Sequence, residues 1–184
     1  MSNIPKYSKI LFVTGGTGGH IFPALSIYEL LENLKKNILF ATDQRGIKNK
    51  KLKKLNPKLI KSFGFEGKNI ISKIFALLYL LSGVLKAIFF IKKKNIKIVL
   101  GFGSYVQVPF IFAALILRRK VILHEANAVM GRANKIFWKY ITLRISAYDL
   151  GDLYKNTLVV GMPVRKEILQ LYKKKYLAPE KKIN

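Results

Sequence analysis

The 184-residue chain has no cysteine, only two histidines, and nine Asp and Glu against 34 Lys and Arg. Without cysteine there is no disulfide framework, no thiolate metal site and no cysteine nucleophile, which fits a reducing cytoplasm. No long apolar run opens the chain: Ile10–Val13 precedes the first glycines, short of the ~7–15 residues of a signal-peptide core. The scarcity of acids leaves a formal charge of +25, a field that draws in phosphates, nucleic acid or an anionic leaflet. Abundant Lys, Ile and Asn beside scarce Arg is also what a biased base composition produces. Charge therefore restricts the partner to something anionic and goes no further.

Hydrophobic residues make up 51% of the chain, enough for one well-cored domain. The expected domain covers residues 1–168, and 169–184 is expected to be a basic tail or the start of an interdomain linker, with the low-complexity stretch Lys173–Lys182 solvated. Apolar runs alternate with helical stretches in a βαβα order, which predicts an α/β fold with a doubly wound, mostly parallel sheet. Strands are expected at Ile10–Val13, Ile38–Ala41, Leu59–Phe63, Ile98–Leu100, Val121–Leu123 and Leu158–Val160. Helices are expected at Pro23–Lys35, Ile47–Leu55, Ile70–Lys93, Pro109–Leu117 and Ala133–Tyr140, with Pro23 near a first turn, where its missing N–H matters little. Each glycine cluster follows a strand, which gathers the clusters at the carboxyl edge of the sheet, where open α/β folds bind ligands.

Ile70–Ile91 approaches the ~20 apolar residues of a membrane span, but Lys73 and Lys86 interrupt it, at about 2.5–3.5 kcal/mol each if placed centrally. Helical stepping puts Ser72, Tyr79, Ser82, Gly83 and Lys86 on one stripe and Ile74, Leu78, Leu81, Leu85 and Ile88 on the opposite one. A helix packed by one side, with apolar surface on the other and Lys92-Lys93-Lys94 at its border, suits the surface of an anionic membrane. Burial of both faces in the domain is the alternative.

The stretch Val13-Thr14-Gly15-Gly16-Thr17-Gly18-Gly19-His20 is neither a P-loop, which needs Lys-Ser/Thr after its last glycine, nor a dinucleotide fingerprint, since Ile21 stands where the third glycine belongs. It shares their physics: bare N–H groups at a helix N-terminus, favourable to a ligand oxygen or phosphate. The positive dipole end there favours a neutral His20 imidazole, able to take a proton from a hydroxyl near neutral pH; a histidine that only caps the turn is the bland reading. His124-Glu125-Ala126-Asn127 follows a strand, and Asn127 offers a donor and an acceptor to a sugar. Alternation sends His124 and Glu125 to opposite faces if the strand persists, and a satisfied buried His124 is the simpler reading. Gly101-Phe102-Gly103-Ser104-Tyr105 is another flexible turn after a strand. Gly161-Met162-Pro163-Val164-Arg165 adds a forked donor suited to phosphate, or a solvated arginine. No metal cage is visible, and neither a metal nor another cofactor is expected.

Three segments, GGTGGHIFPAL at Gly15–Leu25, HEANAVMGRAN at His124–Asn134 and GMPVRKEI at Gly161–Ile168, together with LGFGSYV between them, resemble the N-terminal half of the MurG family. The resemblance runs from about Ile10 to Ile168. That family transfers N-acetylglucosamine from UDP-N-acetylglucosamine to lipid I, giving lipid II for the peptidoglycan cell wall. The resemblance implies the Rossmann-like N-terminal domain of the two-domain GT-B arrangement and an inverting hexosyltransferase, peripheral to the cytoplasmic side of the inner membrane.

It further implies that Thr17, Gly18, Gly19, Asn127 and Arg165 bind the donor. His20 is the implied base and Glu125 a supporting catalytic residue. Gly103, Ser104 and Tyr105 form the acceptor loop, and Ile74, Leu78, Leu81 and Leu85 the membrane face. The implied partners are UDP-N-acetylglucosamine, lipid I and an anionic membrane surface, with nucleic acid not expected; a separate donor-domain chain joins them if the enzyme is split. The chain departs from the family at Ala126 (usually Gln), Ser104 (usually Gly) and Met162 (usually Asn), and Gln107 and Val108 replace small residues. A second nucleotide-binding domain does not fit in the sequence, so a fragment or one half of a split enzyme is expected. The competing reading is a non-catalytic basic module that binds membrane or nucleic acid. A nicotinamide enzyme is weaker, because the only strand-end acid at a suitable distance, Asp43, follows the wrong loop.

Overall fold

The computed structural model describes residues 8–60 and 70–172, with side chains at 8–60, 77–152 and 154–171. Seven parallel strands form one sheet: β1 (Lys9–Val13), β2 (Ile38–Thr42), β3 (Lys58–Leu59), β4 (Ile96–Gly101), β5 (Lys120–Glu125), β6 (Leu143–Ser146) and β7 (Leu158–Val159). Their spatial order is β3-β2-β1-β4-β5-β6-β7, so chain direction across the sheet reverses between β1 and β4. Six helices complete the described fold: α1 (Gly18–Leu30), α2 (Lys50–Lys53), α3 (Ile70–Lys93), α4 (Gln107–Ile116), α5 (Arg132–Phe137) and α6 (Lys166–Tyr172).

Alternation along the central strands supplies both faces of the sheet. Leu11 and Val13 of β1 join Val99, Val121 and Leu123 beneath α3, α4 and α5, with Ile91, Phe110 and Phe137 packed on them. Phe12 turns the other way, to Phe40, Leu100 and Phe102, and is covered by Ile21, Ala24 and Leu25 of α1. Phe12 meets Phe40 and Phe102 with ring centroids 5.4 Å apart in both pairs. Burial of such a ring contributes roughly 2–3 kcal/mol, so this aromatic layer ties α1 to β1, β2 and β4.

Several boundaries differ from the sequence expectation. Helix α1 begins at Gly18 rather than Pro23 and ends at Leu30, followed by a 3-10 stretch at Glu32–Asn37. Pro23 therefore lies inside the helix, where its missing N–H leaves the Gly19 carbonyl without its usual helical partner. The expected helix 47–55 splits into a 3-10 turn at Gly46–Lys48 and the short α2, which Asn49 caps by accepting the Leu52 N–H at 3.0 Å. Strand β3 ends at Leu59; residues 61–63 of the expected strand lie outside the described residues. Strand β6 was not expected at all. Helix α6 crosses residue 168, and residues 173–184 of the expected tail lie outside the described residues.

Helix α3 spans the expected residues and packs along α4: Gly83 lies so close that a Cβ there would sit 3.3 Å from Pro109, and Phe90 meets Phe110 edge-on. Gly83, Ala87 and Ile91 are buried, whereas Leu77, Leu78, Leu81, Leu85 and Phe89 are exposed. Leu78, Leu81 and Leu85 of the expected membrane stripe thus face outward. Ile88 is instead partly buried against the core, and the Ile74 side chain lies outside the described residues. Phe89, 75% exposed, extends the outward face and was missed because it stands beside Ile88 in a continuous apolar run. Among the described residues no helix is long and apolar enough to cross a membrane.

Candidate active site

The loops after β1 and β4 leave the sheet side by side, because Val13 pairs with Gly101 and the Phe102 N–H reaches the Val13 carbonyl at 3.0 Å. This is the point where strand order reverses, which opens a crevice at the carboxyl edge. The glycine-rich turn is held from beneath by a residue that sequence reasoning did not select. Asp43, at the end of β2 and 3% exposed, accepts the Gly16 N–H at 3.2 Å and the Gly46 N–H at 2.8 Å on Oδ1. Its Oδ2 pairs with Arg45 at 3.3 Å. A Cβ at Gly15 would lie 2.8 Å from Val106 and 3.1 Å from the Asp43 carboxylate, so the turn is bare there because it is packed.

Thr17 then caps α1 in extended conformation, with its hydroxyl making no capping bond. Thr17 and Gly19 are exposed, and a Cβ at Gly19 would meet nothing nearer than the Thr17 hydroxyl at 3.7 Å. The N-terminal amides of a 13-residue helix are thereby presented without side chains in front of them, an arrangement that suits a phosphate oxygen. Arg165 is brought to the same end of α1: its guanidinium lies 4.3 Å from the centre of the Phe22 ring, one turn past Gly18. Met162 is exposed beside Gly161, whose φ is +79°.

His20 occupies the first turn of α1 and lies against Gly103 of the neighbouring loop. A Cβ at Gly103 would be 2.7 Å from both Cε1 and Nδ1 of the ring, and Nδ1 is buried without a hydrogen-bond partner. Ser104 adopts φ +67°, a left-handed conformation that serine takes at a cost of about 1–2 kcal/mol. Ser104 and Tyr105 are half-buried, and the Ser104 hydroxyl borders Gly16, so the acceptor-loop residues adjoin the glycine turn.

Strand β5 persists through Glu125, and both of its last residues are buried, His124 at 1% and Glu125 at 2% exposure. Glu125 accepts the Asn127 N–H and Nδ2 at 2.9 Å each, the Gly131 N–H at 2.8 Å and Asn134 Nδ2 at 2.9 Å. Its carboxylate is thus engaged in shaping the loop that presents the exposed Asn127. His124 lies on the other side of the strand, 5.9 Å from the Phe102 ring centroid. Burial pushes its imidazole below the ordinary histidine range; Glu125 and the Gly161 backbone oppose this, and nearby His20 adds to it.

A lowered value in the folded state means that the unfolded chain takes the proton first. Stability is therefore full above the unfolded value of about 6.5 and is lost as pH falls toward the folded one. The unfolding midpoint in urea should decline between pH 8 and pH 5.5, with a flatter dependence in His124→Gln; equal slopes would show that His124 does not set it.

Among the described residues no three His, Asp or Glu side chains converge as a metal cage. The sheet order, the glycine turn entering α1 and the loops gathered at the switch point define the Rossmann-like N-terminal domain of the GT-B class. The chain belongs to glycosyltransferase family 28, matching its N-terminal domain over residues 10–144.

Two bacterial relatives carry the name UDP-N-acetylglucosamine--N-acetylmuramyl-(pentapeptide) pyrophosphoryl-undecaprenol N-acetylglucosamine transferase. That of Francisella tularensis subsp. tularensis (strain FSC 198) is 38% identical over 172 residues, 89% of this chain and 46% of the relative. That of Rhodospirillum rubrum is 34% identical over 177 residues, 92% of this chain and 45% of the relative. Among solved structures, Acinetobacter baumannii MurG superimposes with a TM-score of 0.68 at 26% identity, over 92% of this chain and 50% of that one. A UDP-N-acetylglucosamine 2-epimerase, TM-score 0.58 at 14% identity over 94% and 53% of the two chains, shares the fold alone. The chain spans about half the length of the curated relatives it matches.

Proposed function

We propose that this chain forms the acceptor-side half of an inverting transferase that moves N-acetylglucosamine from UDP-N-acetylglucosamine to lipid I, yielding lipid II for cell-wall peptidoglycan. The observation that carries the reading is the His20 ring seated against Gly103 beside the uncovered first turn of α1. That turn offers Thr17, Gly18 and Gly19 to the diphosphate, with Arg165 and Asn127 as further donor contacts. The Gly103-Ser104-Tyr105 loop receives the acceptor sugar.

His20 removes the proton from the acceptor hydroxyl as its oxygen bonds to the anomeric carbon. The bond from that carbon to the UDP oxygen breaks on the opposite side, and the diphosphate leaves with the electron pair. Preorganised amides at the helix end stabilise the developing charge. Glu125 acts one step back, by holding the Asn127 loop. A donor α/β domain, on the same chain or another, completes the nucleotide-sugar pocket.

The exposed leucines of α3 and the exposed Lys92, Lys93 and Lys94 at its end give the chain a peripheral seat on the anionic cytoplasmic face of the inner membrane. The test presents lipid I in phosphatidylglycerol vesicles, with UDP-N-acetylglucosamine and a donor domain supplied. The chain sediments with the vesicles, and the double variant Leu78→Asp, Leu81→Asp loses most of that binding. Lipid II forms, and His20→Ala slows it by about 10²–10⁴-fold. Vesicle binding with neither turnover nor protection of the Gly15–Gly19 amides by the nucleotide sugar would overturn the transfer reading and leave a non-catalytic basic module.

A further inference from the structure

Gln107, the first residue of α4, has no part in the chemistry above. It is fully buried, at 0% exposure, where a carboxamide with unpaired groups costs about 1–3 kcal/mol. Both of its ends are paired. Oε1 accepts the Gly103 N–H at 2.9 Å, and Nε2 donates to Asn134 Oδ1 at 2.6 Å. Asn134, 2% exposed, carries the line onward, its Nδ2 donating to Glu125 Oε2 at 2.9 Å and to the His124 carbonyl at 3.3 Å. Each hydrogen in the series points toward the Glu125 carboxylate, which accepts nothing but donors. That charge fixes the orientation of both carboxamides. The end of β4 makes room for the arrangement, since a Cβ at Gly101 would collide with Gln107 Oε1. A small residue at 107 could not reach either partner.

We propose that Gln107 is a positioning residue that locks the Gly103 turn to the Asn127 loop, so that the floor of the His20 ring and the Asn127 side chain are held as one body. What those loops do rests on the transfer reading; the lock does not. The test is amide hydrogen exchange on the full chain without ligand, with amides of β1 and β2 as folding controls.

Gln107→Met fills the same space with no polar partner, and protection should fall at least tenfold at Gly103 and also at Asn127 and Gly131. Gln107→Glu separates bonding from packing. Its neutral carboxyl copies the amide, accepting from Gly103 and donating to Asn134, whereas the ionised form cannot donate. Burial raises the pH of that change. Protection relative to wild type should therefore be near unity at pH 5 and fall severalfold by pH 8.

Unchanged protection at Asn127 and Gly131 in Gln107→Met, or no pH step in Gln107→Glu, would overturn the lock and leave Gln107 a packing residue. If the methionine variant fails to fold, the pH step alone decides. Since no readout uses nucleotide sugar, failure of the transfer reading is seen separately, as vesicle binding with neither lipid II formation nor nucleotide-sugar protection of the Gly15–Gly19 amides.

Discussion

Replacing Asp43 with alanine is expected to lower the unfolding free energy by about 2–4 kcal/mol, measured by urea denaturation at pH 7.5. The carboxylate is 3% exposed and a single oxygen, Oδ1, receives the N–H groups of Gly16 and Gly46. Alanine leaves both amides without that acceptor, and an unsatisfied buried donor costs about 1–3 kcal/mol. The Arg45 pairing adds little, because the arginine side chain is 66% exposed and solvent screens such pairs. Asp43→Asn supplies the control: its Oδ1 still accepts both amides while the charge is gone. Asparagine should recover most of the loss if the amides dominate. An asparagine variant as unstable as alanine would instead assign the effect to the charge. The same geometry bears on the nicotinamide alternative. In dinucleotide enzymes a strand-end acid holds the ribose, but here the acid is turned under the glycine loop and engaged by it.

The sheet and the loops gathered at its carboxyl edge were readable because the central strands carry strong markers. β1, β2, β4 and β5 are continuous apolar runs, and two of them end in glycine clusters whose absent side chains prove to be packing requirements at Gly15, Gly101 and Gly103. β6 lacks both markers. It reads Leu143-Arg144-Ile145-Ser146, is mostly half-buried near the sheet edge, and no glycine cluster directly follows it.

The start of α1 was misplaced because two glycines carry an intrinsic helix penalty of about 1 kcal/mol each, overridden here by the packing of Ile21, Ala24 and Leu25 on the aromatic layer. The site was legible as a set of loops and not as a set of bonds. That Glu125 would be enclosed by four donors, that Asp43 would support the first loop, and that Gln107 would join two others depends on contacts between residues 2 to 27 positions apart, which periodicity does not encode. Spacing placed Leu78, Leu81 and Leu85 on one stripe; only the packing of Gly83 and Ala87 against α4 and the core decides that this stripe points away from the protein.

Gly103→Ala should nearly abolish transfer while leaving a folded protein. Gly103 has φ +96°, a conformation costly to any residue with a Cβ by about 1–3 kcal/mol. The added methyl would also lie 2.7 Å from the His20 ring, inside van der Waals contact, so the imidazole must shift. The enclosing elements limit how far the backbone can yield, since the Gly103 N–H is bonded to Gln107 and Phe102 is buried between β1 and α1. Displacement of a reacting group by about 1 Å can cost roughly 10²-fold in rate. With a donor domain supplied, lipid II formation by Gly103→Ala should therefore drop about as far as in His20→Ala, and the double variant should be no slower than either one. Multiplying losses in the double variant would mean that Gly103 serves the acceptor directly and not through the imidazole.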